Sequence, residues 1–151
     1  MKNLKVFTDG GSRGNPGPAG LGGVVFQTSP EVSFEEIRSS KVIHEFSEFI
    51  GTATNNEAEY LALLKILEWL GENSDEVETI DIYLDSKLVV EQINRNWKIK
   101  DERMQGFAIK AWKILSKLND LNIKTSLSHV KREKNKDADA LVNQTLDANL
   151  K

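Results

Sequence analysis

The order in which strand-like and helix-like segments follow one another constrains the fold of this chain more than any other feature. Alternating, β-rich patterns at residues 4–9, 21–27 and 41–50 predict three strands before the first helix. Two further strands are expected at residues 80–85 and 123–129, and helices at residues 54–71, 86–93, 101–118 and from 135 onward. The order βββαβααβα predicts an antiparallel meander, to which the helix-connected strands are added parallel to the first strand.

The connections and the composition narrow the class of protein. Residues 10–23 are rich in glycine and proline and predict a turn-rich loop, and the polar residues 28–40 predict a long turn. With 151 residues, of which 39% are hydrophobic and 28% charged, the chain is expected to form one domain, residues 1–151. This composition excludes a disordered chain, a collagen-like repeat and a membrane protein.

The absence of cysteine and the distribution of charge indicate where the protein is located and what it binds. The chain has no cysteine, which excludes disulfides and thiolate chemistry. A strand pattern starts almost at the N-terminus, so we expect no signal peptide and a cytoplasmic location. The net charge of −3 is unusual for a nucleic-acid binder. However, basic residues cluster in residues 87–113 and 131–136, either as a binding surface or as solvated helix faces.

Four acidic positions are hard to explain by structure alone. Asp9 and Asp85 each end a predicted strand, where ligands gather in open α/β sheets. Glu59 shares an apolar helical stripe and is favoured over Glu57, which lies on the wetter side. In the last helix, spacing alone does not choose between the two candidates, which are Asp137 and Asp139.

Buried carboxylates must be neutralised, and hard divalent cations do this with oxygen ligands. Two such ions about 4 Å apart stabilise both the attacking and the leaving oxygen at a phosphodiester. Taken singly, each acid has a structural explanation as a turn former, a cap or a helix N-terminal charge. The metal-site hypothesis therefore requires the four acids to meet in space.

Four segments together carry a specific resemblance. Residues 8–20 (TDGGSRGNPGPAG), 54–60 (TNNEAEY) and 84–86 (LDS), and the spacing of His129, Asn135 and Asp139, are similar to the motifs of type 1 ribonuclease H, the ribonuclease HI family. The resemblance covers about residues 5–147. It selects Glu59 and, in the last helix, Asp139. Residues 94–103 hold no long basic insertion, so the chain resembles the short archaeal-type and bacterial variants of this family.

The resemblance implies a ribonuclease H-like α/β fold, in which helices flank a five-stranded mixed sheet. It further implies an endonuclease that hydrolyses the RNA strand of RNA/DNA hybrids with two Mg²⁺ ions, or with Mn²⁺ as a substitute, leaving 5′-phosphate and 3′-hydroxyl ends. The implied metal ligands and catalytic acids are Asp9, Glu59, Asp85 and Asp139. His129 is expected to shuttle a proton or aid product release, because imidazole titrates near neutral pH. Activity on double-stranded RNA stays open, and a monomer is expected.

Substrate recognition has its own candidates. The 2′-hydroxyl distinguishes RNA from DNA, and glycine backbone and side-chain amides are suited to contact it. Expected contacts are Gly10, Gly11, Ser12, Asn15, Thr54, Asn55, Asn56, Ser86, Lys87, Trp97, Lys98 and Asn135. Asn55 and Asn56 are alternatively helix caps, and Trp97 is either a platform for the DNA strand or a core residue. Competing hypotheses are a non-catalytic hybrid-binding module and another metal-dependent nuclease on the same fold.

Overall fold

A single five-stranded sheet organises the computed structural model, which describes residues 1–150. Its strands are β1 (Lys2–Ser12), β2 (Gly17–Thr28), β3 (Lys41–Ala53), β4 (Val77–Leu84) and β5 (Lys124–His129). Their spatial order is β3-β2-β1-β4-β5, so β1 is central. The β1–β2 and β2–β3 pairs are antiparallel, and the β1–β4 and β4–β5 pairs are parallel. The predicted meander and the parallel additions are confirmed.

Four helices follow the predicted order. They are α1 (Asn55–Glu72), α2 (Lys87–Ile93), α3 (Glu102–Asp120) and α4 (Lys136–Asn149), and two short 3₁₀ helices cover Phe34–Ser39 and Arg132–Lys134. The Thr54 hydroxyl accepts a hydrogen bond from the Glu57 N–H and so caps α1. Ser86 caps α2 in the same way. Within residues 1–150, none of the helices has the length and apolar character that crossing a membrane requires.

The helices cover both faces of the sheet. A Cβ atom on Gly10 would meet Ala58 of α1, whereas one on the next residue, Gly11, would lie nearest Val142 of α4. Since successive strand residues point to opposite faces, α1 and α4 lie on opposite sides of β1. α3 packs against α1, and together with the sheet they enclose the larger apolar core.

The prediction of a loop over residues 10–23 was wrong for most of that segment. β1 continues to Ser12 and β2 begins at Gly17, so the turn is short. A Cβ atom on Gly10 would lie 2.2 Å from the backbone carbonyl carbon of Ala58, and one on Gly22 would lie 2.5 Å from the backbone oxygen of Ala138. These glycines are thus required because helices approach the strands closely. The segment is therefore as rich in glycine as a loop, although most of it is strand.

The segment predicted as one long turn over residues 28–40 also contains regular structure. Its 3₁₀ helix buries Ile37 in a small cluster with Phe7, Phe26 and Ala138. This cluster anchors the β2–β3 connection beside the first turn of α4 and so beside the end of the sheet where Asp9 lies.

Candidate active site

Three carboxylates meet at the end of the central strands. Asp9 lies near the end of β1, Asp85 directly follows β4, and Glu59 projects from the second turn of α1. Each of the three offers an oxygen atom, and these atoms all lie within 4.8 Å of one another. Asp9 and Glu59 are buried and Asp85 is half-buried. Because β1 and β4 are adjacent and parallel, their carboxyl ends deliver Asp9 and Asp85 to the same edge.

Glu59 is held by the backbone of β1. The Gly10 N–H donates a hydrogen bond of 3.0 Å to Glu59 Oε1, and the absent side chain of Gly10 lets α1 come this close. Glu59 Oε2 is buried and has no hydrogen-bond partner among residues 1–150. A buried acceptor of this kind is costly unless a ligand satisfies it. Glu59 therefore presents one oriented, free oxygen atom to the cluster.

Burial is the main reason that the pKa of each of these three carboxyl groups is raised. Burial, followed by the charges of Asp85 and Asp139, raises the pKa of Asp9 to about 7. Burial and the neighbouring Asp9 raise the pKa of Glu59 well above its usual value. Burial also raises the pKa of Asp85, and contacts with Asn135 and Arg132 oppose that rise. The cluster therefore resists carrying its full negative charge, so its oxygen atoms fit a hard divalent cation.

Asp139 lies beside the three carboxylates, and Asp137 does not. Asp139 lines the same cavity, which has a volume of about 540 Å³. Arg132 donates a hydrogen bond of 3.4 Å to Asp139 Oδ1, and Asn143 donates one of 3.4 Å to Asp139 Oδ2. Asp137 instead accepts two hydrogen bonds from Arg38, at 3.0 and 2.9 Å. The geometry thus distinguishes the two acids that spacing left open.

Glu57 and Glu59 also separate as their helix faces indicated. The Glu57 carboxylate accepts the Thr54 N–H at 3.1 Å and so completes a capping box at the start of α1. It also forms an ion pair of 2.8 Å with Arg103 of α3. Glu57 therefore links two helices, and Glu59 faces the cavity.

His129 stands apart from this cavity. It is exposed at the last position of β5, opposite Leu84 in the neighbouring strand. It does not belong to the described residues that line the cavity. Its side chain is thus open to solvent at the same edge of the sheet.

Several expected substrate contacts form the wall of the cavity and the turn beside it. The lining includes Gly10, Gly11, Ser12, Asn55, Asn56 and Ser86. The Ser12 N–H and hydroxyl donate to Asn55 Oδ1 at 2.9 and 3.1 Å, and the Asn55 N–H donates to Asn15 Oδ1 at 3.1 Å. Asn15 and Ser12 therefore fix the β1–β2 turn to the start of α1. Thr54 serves as the cap of that helix.

Asn135, another expected substrate contact, is buried beside the carboxylates. Its side chain is 1% exposed, and its amide donates to the Thr8 carbonyl oxygen at 2.9 Å. It connects the start of α4 to β1 beside Asp9. Its contact with substrate stays a prediction.

The predicted DNA-side residues lie outside the carboxylate cavity. Trp97 is 45% exposed, which excludes the core position that the sequence left open. The Lys87 ammonium lies 5.9 Å from the centroid of the Trp97 ring. Trp97 and Lys98 line a separate groove between α2 and α3. Lys87 directly follows Ser86, which lines the carboxylate cavity, so the Lys87 side chain lies between that cavity and Trp97.

Three polar residues that line the cavity were not among the predicted site residues: Arg13, Arg132 and Asn143. Asn143 follows Asp139 by four positions in α4, so helical periodicity alone could have placed both on one face. Arg132 belongs to a 3₁₀ helix, and Arg13 to the turn after β1, and neither conformation has a periodic signal.

Comparisons with known proteins agree on one family. A family model described as RNase H matches residues 1–147. Ribonuclease HI from Halobacterium salinarum is 35% identical over 144 residues, which cover 95% of this chain and 64% of that protein. The bifunctional protein Rv2228c from Mycobacterium tuberculosis is 38% identical over 147 residues, covering 95% of this chain and 35% of that protein. The chain thus spans between about a third and two thirds of the length of these curated relatives.

A solved structure agrees with this result. The crystal structure of LC11-RNase H1 in complex with an RNA/DNA hybrid superimposes with a TM-score of 0.79. The two chains are 35% identical, and the match covers 99% of this chain and 100% of that one. The expected fold, a five-stranded mixed sheet flanked by helices, is confirmed.

Proposed function

Because this chain belongs to the RNase H family, we propose that it is a metal-dependent endonuclease that hydrolyses the RNA strand of RNA/DNA hybrids. The observation that carries the proposal is the group of oxygen atoms from Asp9, Glu59 and Asp85 within 4.8 Å of one another, in a cavity that Asp139 also lines. The LC11-RNase H1 complex supports the hybrid as the substrate class.

Four acids are proposed to hold the metal. The free Glu59 Oε2 and the raised pKa values of Asp9 and Glu59 fit a site that a cation completes. We propose that Asp9, Glu59, Asp85 and Asp139 would hold two Mg²⁺ ions, with Mn²⁺ as a substitute; Asp9 lies on the central strand of the sheet. Such ions, when bound, lower the pKa of an attacking water and stabilise the charge on the leaving oxygen.

The remaining groups bind and orient the two strands of the hybrid. Gly11, Ser12, Asn55 and Asn56 line the cavity with backbone and side-chain groups that both donate and accept hydrogen bonds, as reading a 2′-hydroxyl requires. Trp97, Lys87 and Lys98 present an aromatic face and two cations to the DNA strand. The exposed His129 imidazole accepts a proton at a ring nitrogen, or helps release the 5′-phosphate product. A monomer in the cytoplasm stays a prediction.

A substrate panel tests the activity. Labelled RNA/DNA hybrid, duplex DNA, duplex RNA and single-stranded RNA are incubated with the protein in Mg²⁺ or in EDTA. We expect cleavage of the hybrid RNA strand in Mg²⁺ alone, with 5′-phosphate ends. Binding without cleavage would support a hybrid-binding module instead, and cleavage of duplex DNA would indicate a different nuclease. Cleavage of duplex RNA would extend the substrate class.

A pair of neighbouring variants tests the assignment of the fourth acid. Asp139→Asn removes a charge from the cavity, and we expect it to lower kcat by about 100-fold, a loss of about 2.7 kcal/mol in transition-state stabilisation. The control is Asp137→Asn, which loses only its exposed pair with Arg38 and is expected to retain activity within a few-fold. Equal losses in both variants would remove Asp139 from the site.

A further inference from the structure

The backbone of Arg13 is hydrogen-bonded within a tight turn, and its side chain is largely exposed. Its N–H donates to the Pro18 carbonyl oxygen at 2.8 Å, and the nearby Ser12 and Asn15 are hydrogen-bonded to Asn55 at the start of α1. A Cβ atom on Gly17 would lie 2.3 Å from the Arg13 carbonyl oxygen, which shows how tightly the turn closes. The guanidinium nevertheless remains exposed at the cavity. The turn therefore fixes the position of the Arg13 backbone but leaves its guanidinium free to bind another group.

The partners of Arg13 are weak ones. Its Nη2 atom lies 2.6 Å from Asp147 Oδ1 and 3.4 Å from Asn143 Oδ1. The side chain of Arg13 is 41% exposed and that of Asp147 is 68% exposed. An ion pair this exposed contributes about 0–1 kcal/mol, so a phosphate oxygen can replace Asp147 at little cost.

The position of Arg13 relative to the carboxylates indicates which phosphate it reaches. Asp139, Asn143 and Asp147 follow one another at four-residue intervals along one face of α4. Asp147 therefore lies about 12 Å along the helix axis from Asp139. Arg13 and Arg132 are the two cationic side chains among the described residues that line the cavity, and Arg132 already contacts Asp139. This leaves Arg13 for a phosphate beyond the one that is cut.

We propose that Arg13 binds a non-bridging phosphate oxygen of the RNA strand near the scissile phosphate. In the free protein Asp147 pairs with the Arg13 guanidinium, and the phosphate replaces Asp147 when substrate binds. This inference rests on the proposed function, because the strand in the carboxylate cavity is the one that is cut. Arginine suits the role, since its planar guanidinium matches two phosphate oxygens at once. The cavity is otherwise acidic, so a cation at its rim also offsets repulsion of the polyanion.

Equilibrium binding tests the proposal without cleavage. A fluorescently labelled RNA/DNA hybrid is titrated in EDTA, by anisotropy, between about 50 and 200 mM salt. We expect Arg13→Ala to weaken binding about tenfold and to reduce the slope of log Kd against log salt concentration by about 0.9, the value for one lost phosphate contact. Arg13→Lys keeps the slope and recovers part of the affinity, because the charge remains and the planar fork is lost.

The ion-pair partner separates phosphate binding from a structural role. If Arg13 only held the turn against α4, Asp147→Asn would weaken binding as Arg13→Ala does. Our proposal requires Asp147→Asn to bind the hybrid at least as tightly as wild type, because the competing acceptor has lost its charge. The matched control is the ion pair between Arg38, in the first 3₁₀ helix, and Asp137, on the same helix as Asp147; Arg38→Ala and Asp137→Asn are each expected to stay within about twofold of wild type.

Two results would overturn the proposal. One is an Arg13→Ala variant whose affinity and salt slope equal those of Arg38→Ala, and the other is parallel weakening by Arg13→Ala and Asp147→Asn. A wild-type protein that neither binds nor cleaves the hybrid would instead overturn the proposed function. If the wild-type protein cleaves the hybrid and Arg13→Ala binds it as tightly as wild type, only the proposed role of Arg13 is overturned.

Discussion

At the scale of single residues, the buried carboxylates lower the stability of the metal-free protein, and the same burial makes them suited to bind a cation. The pKa of Asp9 is about 7 in the folded protein, against an ordinary value of 3.8. A carboxyl whose pKa is raised by folding stabilises the folded state fully below pH 3.8, and this contribution is lost as pH rises through 7. The metal-free protein is therefore expected to lose stability across this window because of Asp9.

Asp9→Asn tests this effect in EDTA. The variant removes the buried charge. At pH 8 we therefore expect it to raise the free energy of unfolding by on the order of 2 kcal/mol relative to wild type, and Tm by several degrees. At pH 5 much of the wild-type Asp9 is already protonated, and the difference in Tm is expected to shrink. Thermal unfolding followed by circular dichroism measures both. A difference that is the same at pH 5 and pH 8 would contradict the raised pKa.

Sequence reasoning at this scale succeeded where periodicity applied. The apolar stripe of α1 separated Glu59 from Glu57, because the two residues differ by about 200° around the helix. It did not separate Asp139 from Asp137, since both lie in the first turn of α4 and the partner of Asp137 is Arg38, from a 3₁₀ helix that the sequence did not predict. The burial of Asn135 was not predicted for a similar reason, because it depends on contact with Thr8 far away in the chain.

At the scale of elements, glycines in β1 and β2 set the distance between the sheet and its helices. We expect Gly10→Ala to destabilise the fold by several kcal/mol and to abolish cleavage, because the new Cβ would overlap the backbone of Ala58 and displace Glu59. Gly106→Ala in α3 is the control. No heavy atom lies within 4 Å of the new Cβ there, so a gain of about 0.5–1 kcal/mol is expected from helix propensity. Urea unfolding of both variants measures these changes. A Gly10→Ala variant as stable as wild type would contradict the proposed overlap with Ala58.

The same glycines explain which element boundaries the sequence could not predict. The existence, type and order of the strands and long helices followed from apolar periodicity and capping residues such as Thr54 and Ser86. Residues 10–23 were assigned to a loop because glycine is frequent both in turns and where backbones approach closely. The difference between those two uses depends on what packs above the strand, and that partner is a helix that begins far along the chain.

At the scale of the whole molecule, the fold gathers charges that are separated in sequence. The chain carries a net charge of −3, and among the described residues 1–150 the cavity collects four acids and two cationic side chains, Arg13 and Arg132. In the unfolded chain these acids are far apart, so a divalent cation has a much weaker site there. The folded state alone offers the cluster, and cation binding must therefore stabilise folding.

This linkage gives a test of the metal site that does not depend on cleavage. At a Mg²⁺ concentration of about 100 times Kd, one occupied site stabilises the protein by about 2.7 kcal/mol. This corresponds to a rise in Tm of about 5–10 °C for a domain of this size. Glu59→Gln keeps an acceptor for the Gly10 N–H but removes the charge, so we expect most of the Mg²⁺-dependent rise to disappear. Glu57→Gln, two residues away, retains the capping box and should retain the rise. An equal rise in both variants would mean that Mg²⁺ stabilises the protein somewhere other than the carboxylate cavity, even if the enzyme cleaves hybrids.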